Sequence, residues 1–264
     1  MPALELVSGY TTAPGTTLTE VTICTGNSKT IRAAAADANI RLLSAWTKFQ
    51  AAGYLQLNSP KLHDNIAAIK LASGIGIPNP ELPMGPSQKL YPQDTLSIKI
   101  AGSATAGDIE NCSLLVYYDD LPGSNGNFIT ADEAAERCIN IKTVVNSLTM
   151  GTSGDYSGEE LLRADEDLLK ANTDYALLGM VTRTKMCSVR YRGTDLGNLG
   201  VGIPAYDARQ DMTSEWFLRL SRATGLACVP VINSANAGSI YIDGLNDENA
   251  LTFVCSTILA ELAA

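Results

Sequence analysis

Histidine is the scarcest chemistry in this chain: His63 is the single imidazole in 264 residues. One imidazole excludes histidine-based zinc or iron centres by count. A Ser-His-Asp triad would have to be built on His63, and no GxSxG elbow supplies the nucleophile, so His63 reads as an exposed loop residue. Six cysteines (Cys24, Cys112, Cys138, Cys187, Cys228, Cys255) lack CxxC spacing. Cys112 and Cys255 sit in apolar runs, where a thiol behaves as a small hydrophobe, and the set reads as reduced and structural, with a disulfide left open. Charge is also sparse, at 18 % of residues, and its balance is acidic: net charge −9, pI about 4.6. Without basic clusters the chain is poorly suited to phosphate backbones, and no direct nucleic-acid binding is expected. The start, Met1 to Leu6, has neither a basic region nor a long apolar core, so no signal peptide is expected. No run approaches the roughly 18 apolar residues of a membrane span.

Other candidate sites also have simpler explanations. Asp119-Asp120 falls in a turn and Asp165-Glu166-Asp167 on a helical segment, and neither offers the alternating oxygens of a calcium loop. The glycine-rich stretches 74–78 (GIGIP) and 196–204 (LGNLGVGIP) lack a Walker lysine and read as strand edges or loops where backbone packs closely. Tyr91, Tyr117, Tyr118 and Tyr241 could line a sugar-binding surface, but packing between sheets is the simpler role. Hence no catalytic, cofactor-binding or metal residue is assigned, no cofactor is expected, and the chain is expected not to be an enzyme.

What the chain has in abundance is strand signal. Residues 21–24, 53–58, 95–100, 113–118, 176–182, 187–191, 228–232, 239–242 and 251–255 are short, rich in β-branched and aromatic residues, and bounded by Gly, Pro, Asn and Asp. Few long helical patterns lie between them, which indicates β-sandwiches rather than an alternating α/β sheet. Three helices are expected. One opens at the capping box Ser157-Gly-Glu-Glu160, with Leu161, Leu162, Leu168 and Leu169 on one stripe and the pairs Glu159/Arg163 and Glu166/Lys170 four apart. Another opens at Thr130-Ala-Asp-Glu133. A third runs from Ser214 to Thr224, with Trp216, Phe217, Leu220 and Ala223 inward and Gly225 as its stop. Residues 33–38 read as a short helix or an irregular lead-in, and 139–145 as a connecting strand.

The chain is also written twice. Residues 36–48 (ADANIRLLSAWTK) align without gaps on 171–183 (ANTDYALLGMVTR), with Ala36/Ala171, Leu42/Leu177, Leu43/Leu178 and Thr47/Thr182 identical. SIKIAG at 97–102 echoes SIYIDG at 239–244, and Glu110-Asn111 before CSLLVYY echoes Glu248-Asn249 before ALTFVCS. The spacings are 135 (36 to 171), 142 (97 to 239) and 138 (110 to 248), in the same order in both halves. A repeat this long is domain-sized, far beyond a solenoid unit. Turn clusters at 119–126 and 150–158 place the first unit at about 1–125 and the second, with its connector helices, at about 126–264.

A duplicated β-sandwich with the paired SIKIAG/SIYIDG strands and helical insertions such as 214–224 resembles the double jelly-roll major capsid proteins of tailless icosahedral viruses, typically membrane-containing. The resemblance is architectural and covers the whole chain. It implies an all-β chain with minor helices, folded as two tandem jelly-roll β-sandwiches. It further implies homotrimers that form pseudo-hexagonal capsomers, tile a shell in the virion after assembly in the host cytoplasm, and meet minor capsid proteins. Such proteins often carry a basic or amphipathic terminus facing the membrane. Neither end of this chain is basic, which puts membrane contact in doubt. The alternative is a tandem β-sandwich binding module, carbohydrate-binding or adhesive, which predicts exposed aromatic platforms and monomers.

Overall fold

Two runs of strands build the molecule; the computed structural model describes residues 1–61, 69–73, 88–151, 153–162, 169–183, 186–205, 210–246 and 252–264. The first run is β1 (Ala3–Thr12), β2 (Thr19–Glu20), β3 (Thr22–Ile23), β4 (Ile40–Lys48), β5 (Gly53–Asn58), β6 (Ile69–Ser73), β7 (Gln88–Leu90), β8 (Ser97–Ala101) and β9 (Ile109–Tyr118). The second opens with β10 (Phe128–Ile129), α1 (Ala131–Arg137), β11 (Cys138–Thr149), β12 (Tyr156–Leu161), β13 (Asp174–Thr182), β14 (Ser188–Arg192) and β15 (Val201–Pro204). It continues with α2 (Gln210–Thr213), α3 (Trp216–Thr224), β16 (Val229–Asn233), β17 (Tyr241–Leu245) and β18 (Thr252–Leu262).

The strands form four antiparallel sheets, named here in stacking order. Sheet I is β2-β8-β5-β6, sheet II β3-β1-β9-β4-β7, sheet III β12-β17-β14-β15 and sheet IV β10-β16-β13-β18-β11. With β3 and β10 set aside, each unit has eight strands. Numbered along its own chain, each unit pairs them 1-8-3-6 in one sheet and 2-7-4-5 in the other. That is a jelly roll, eight strands in two sheets with Greek-key connections, and the chain contains it twice.

The ladders agree in detail. On β4 the register against β9 skips Leu43, and on β13 the register against β18 skips Leu178. Both bulges fall at the same place, 135 residues apart (43 to 178), which is the spacing of the 36–48 and 171–183 repeat. Past the bulge, Thr47 faces Cys112 and Thr182 faces Cys255. Two alignments read from sequence need correcting. Cys112-Ser113 corresponds to Cys255-Ser256, so Glu110-Asn111 does not correspond to Glu248-Asn249, which itself lies outside the described residues. The SIKIAG and SIYIDG strands do correspond, but slipped by two: Tyr54–Asn58 faces Ala101–Ser97 and Ser188–Arg192 faces Leu245–Tyr241. Ser97 therefore matches Tyr241, while Ser239 and Ile240 precede the strand. A slip of two keeps every side chain on its own face, because strand periodicity is two.

Of the expected helices, two form. Thr130 accepts a hydrogen bond from the Glu133 N–H and caps α1. α3 ends at Gly225, whose φ of 71° is the left-handed conformation glycine adopts without cost. Trp216, Phe217 and Leu220 are buried as expected, whereas Ala223 faces solvent. The helix expected from Ser157 does not form over 157–161: this is strand β12, paired with β17. Gly158, at φ 71°, sits in the bulge between Ser157 and Glu160. Glu159 pairs with Arg192 across the sheet. Residues 163–168 lie outside the described residues. A neighbouring strand in place outweighs a local helical preference of a few tenths of a kcal/mol per residue (~0.5 kcal/mol). Residues 33–38 are irregular, and of 21–24 only Thr22 and Ile23 form a strand, β3 at the edge of sheet II.

Sheets I and II enclose one core, with Leu55, Leu57, Ile98 and Ile100 meeting Val7, Leu42, Leu114 and Val116. The larger core crosses from one sandwich to the other: Leu4, Leu6, Leu43, Trp46, Leu115 and Tyr117 join Val189, Val201, Ile203, Trp216 and Phe253. Among the described residues, no helix is long and apolar enough to cross a membrane.

Candidate functional site at the seam between the sandwiches

Sheet II is buried on both faces. Its inner face packs on sheet I, and its outer face carries Leu4 and Leu6 from β1, Leu43 and Trp46 from β4, and Leu115 and Tyr117 from β9, none more than 4 % exposed. An outer face so apolar requires a cover, and the cover is the outer face of sheet III. The Leu6 N–H donates to Gly200 O at 2.7 Å. Next to it, a Cβ on Gly202 would stand 2.3 Å from Leu6 Cδ2, so this position of β15 accepts only glycine without displacing Leu6. Trp46 Nε1 donates to Cys187 O at 2.9 Å and lies 3.0 Å from Ser188 Oγ. The Trp46 ring also meets Trp216 edge to face, with centroids 5.6 Å apart.

Between these apolar contacts runs a chain of hydroxyls: Tyr156 to Ser8 (2.7 Å), Ser8 to Ser113 (2.8 Å) and Ser113 to Ser188 (2.6 Å). Hydroxyls can both donate and accept, so this chain satisfies itself without water. Beside it sits Arg190, whose Nε and Nη2 hydrogen-bond both Asp243 oxygens at 2.9 and 2.6 Å. Its guanidinium lies 3.6 Å from the Tyr156 ring centroid and donates to Thr25 O of the first sandwich at 3.2 Å. Burial works against the Arg190 charge, but the Asp243 hydrogen bonds and the Tyr156 contact outweigh it and hold its pKa above the ordinary value. Burial, above all, drives the Tyr156 phenol well above its usual pKa, so it stays protonated. Thr25 is tied in turn to Asp155 by its N–H and its hydroxyl, at 2.9 and 2.6 Å.

A cleft of about 460 Å³ opens at this seam, lined by Glu5, Arg32, Glu159, Arg190, Arg192 and Asp243 among others. Its arginines face carboxylates: Arg32 with Glu5, Arg190 with Asp243, and Arg192 with Asp243 and Glu159. A second, more open hollow of about 720 Å³ lies between the Ser28–Arg32 stretch, the turn at Leu121 to Ser124, and Gly197 and Leu199. What this arrangement does chemically is bind the two sandwiches to each other.

The residues weighed from sequence are scattered. Asp119 accepts from the Asp120 N–H at 2.8 Å, which is turn chemistry, and also from the Asn39 N–H at 2.9 Å, while Asp120 pairs with the Met1 amino group. The 196–204 stretch becomes an edge strand and a loop that pack closely on β1, as read. Tyr117 and Tyr118 are buried, with the Tyr118 hydroxyl donating to Glu5 at 2.8 Å; Tyr91 lies beside Lys89 and Tyr241 is 40 % exposed. The six thiols are free, and all except Cys138 are buried. His63, Asp165 to Asp167 and residues 74–78 lie outside the described residues. Among the described residues no cluster of three or more His, Cys, Asp or Glu could hold a metal ion. Sequence reading missed Arg190, Asp243, Tyr156 and the Ser8–Ser113–Ser188 chain. Their signal was faint: an arginine and an aspartate alternating with apolar residues in strands that otherwise read as half-buried.

No family model matches the chain, and no curated protein matches it. Among solved structures, the PBSX exported protein XepA aligns over 98 % of this chain and 86 % of its own, at 10 % identity and a TM-score of 0.26. The major capsid protein P2 of bacteriophage PM2 aligns over 100 % and 98 %, at 6 % identity and a TM-score of 0.21. Similarities this small carry no argument about function.

Proposed function

We propose that this chain is a structural protein of a virus particle, a major capsid protein whose copies form trimeric, pseudo-hexagonal capsomers that tile an icosahedral shell. The observation that supports it is the seam. Two copies of one jelly roll are joined by unlike faces, sheet II of the first against sheet III of the second. A head-to-tail contact of this kind generates rings when its rotation closes. Two joined copies fill two lattice positions with one chain. On this reading the chain performs no catalysis and its principal partner is itself, with minor capsid proteins at the edges of the lattice; neither nucleic acid nor membrane is assigned a contact. Its place is the virion, after assembly in the host cytoplasm.

The test is mass. Purified protein examined by size-exclusion chromatography with light scattering, and by electron microscopy, should show trimers or shells. A species that stays monomeric up to high concentration and binds glycans would replace this reading with the tandem binding module.

A further inference from the structure

We propose that the outer face of sheet IV is a docking surface for a second copy of this chain, and that it receives the outer face of that copy's sheet I in the way sheet II receives sheet III. The inference rests on the self-assembly reading above and names the surfaces that would carry it.

The register supplies the argument. Ser8 faces Ser113 on sheet II, and Val145 faces Ser256 on sheet IV. Because Cys112-Ser113 and Cys255-Ser256 occupy equivalent places, Val145 stands where Ser8 stands, Ile141 where Leu4 stands, and Val254 where Asn111 stands. Ser8, Leu4 and Asn111 are each 0 % exposed, sealed under the second sandwich. Their counterparts are open: Ile141 50 %, Val145 60 % and Val254 38 % exposed. These three are half of the six exposed large hydrophobics among the described residues of the second unit, the others being Ile139, Leu161 and Tyr241. α2 and α3 close over the same side of β13, where a Cβ on Gly179 would meet Thr213 O at 2.1 Å, but β11 and the start of β18 stay bare. A strand whose inner residues are Val144, Asn146 and Leu148 gains nothing within one chain from isoleucine and valine on its other side.

The complementary face is at the opposite end of the stack. Ser188, which touches Trp46 and Ser113 in the seam, has Tyr54 as its counterpart, since both head the five-residue ladders of β5 and β14. Tyr54 is 51 % exposed on sheet I. Gln56 and Lys99 stand beside it where sheet III has Arg190 and Asp243. Among the described residues, therefore, one pair of unlike faces meets within the chain, while the equivalent pair, one at each end, keeps Tyr54, Ile141 and Val145 at least half exposed. Only a second copy presents both members of that pair in matching geometry.

The experiment uses the full chain. Ile141→Arg with Val145→Arg spoils the sheet IV face, and Tyr54→Arg spoils the sheet I face. All three positions are at least half exposed, and unchanged circular dichroism and melting temperature would verify folding. By sedimentation or light scattering, each variant should associate about tenfold or more weakly than the natural chain. Mixing the two variants should restore a one-to-one dimer and no larger species, because each contributes one intact face. If the folded variants assemble as the natural chain does, the proposal is overturned while the capsid reading stands. If each variant is impaired and mixing does not restore a dimer, the unlike-face pairing is overturned. A natural chain that never associates overturns both.

Discussion

Trp46 of the first sandwich and Trp216 of the second meet edge to face, with planes at 83°. They are the only tryptophans in the chain, and both are fully buried. Intrinsic tryptophan fluorescence is therefore a report on the seam rather than on either core alone. In a denaturant titration the fluorescence and circular dichroism transitions should coincide if the two sandwiches unfold as one unit.

Trp46→Ala should cost about 3–5 kcal/mol, the range for removing a buried aromatic side chain. It would also take the indole donor from the Cys187 carbonyl, which keeps only the longer bond from the Ala205 N–H at 3.4 Å among its backbone donors. Trp46→Phe keeps most of the area and loses only the hydrogen bonding, so a smaller shift of the midpoint is expected. Equal losses in the two variants would mean that packing at the seam contributes little beyond that N–H.

The Arg190–Asp243 pair has side chains 6 % and 4 % exposed. Asp243→Ala leaves the Arg190 charge buried without its counterion and should destabilise by about 3–5 kcal/mol, whereas Arg190→Ala leaves Asp243 paired with Arg192 at 3.1 Å and should cost less. Replacing both with apolar residues should cost much less than the sum of the single losses. A double-mutant cycle in urea measures the difference. Additive losses would show that the pair does not act as a unit.

How much of this was legible in the sequence depends on which faces a strand buries. β5 and β8, with one face in the core, alternate cleanly and were readable. β1 buries Ala3 and Val7 on one face and Leu4 and Leu6 on the other. Its period-two pattern is lost, and it was not recognised as a strand. The repeat was legible where Leu43 and Leu178 share a bulge, because the whole segment is retained without gaps. It was misread at Glu110 and Glu248, where the real equivalence, Cys112-Ser113 with Cys255-Ser256, involves only two identical residues in apolar runs. β12 was read as a helix because the capping-box pattern is local, whereas its strand partner β17 is some 80 residues away in sequence (Leu161 to Tyr241). The seam itself was illegible, since which two faces meet follows from the stacking of the sheets and not from any spacing.

The thiols give a count that checks the burial of the strands. Burial raises the pKa of Cys228 and of Cys255 to about 12, and it likewise raises those of Cys24 and Cys112. Thiolate is the reactive form. One of six thiols, Cys138, should react with a disulfide reagent in the native protein, and all six in denaturant. Two or more fast-reacting thiols in the native protein would contradict the buried placement of the others.

Glu110 sets a pH dependence that can be isolated by one substitution. It is fully buried on β9, and its carboxylate accepts from the N–H groups of Gln50 (2.6 Å) and Ser103 (2.7 Å). Burial, the largest influence, raises its pKa above the ordinary 4.5 in spite of those donors. The folded protein therefore still holds this proton where the unfolded chain has released it. Stability contributed at this site is greatest below about pH 4.5, falls as pH rises through the raised folded value, and is level above it. Glu110→Gln cannot titrate and lacks that step. The natural protein's stability minus that of the variant, read from urea midpoints across a pH series, should decline through this window. A difference that rises with pH would mean that the backbone donors outweigh burial and hold the carboxylate in its charged form.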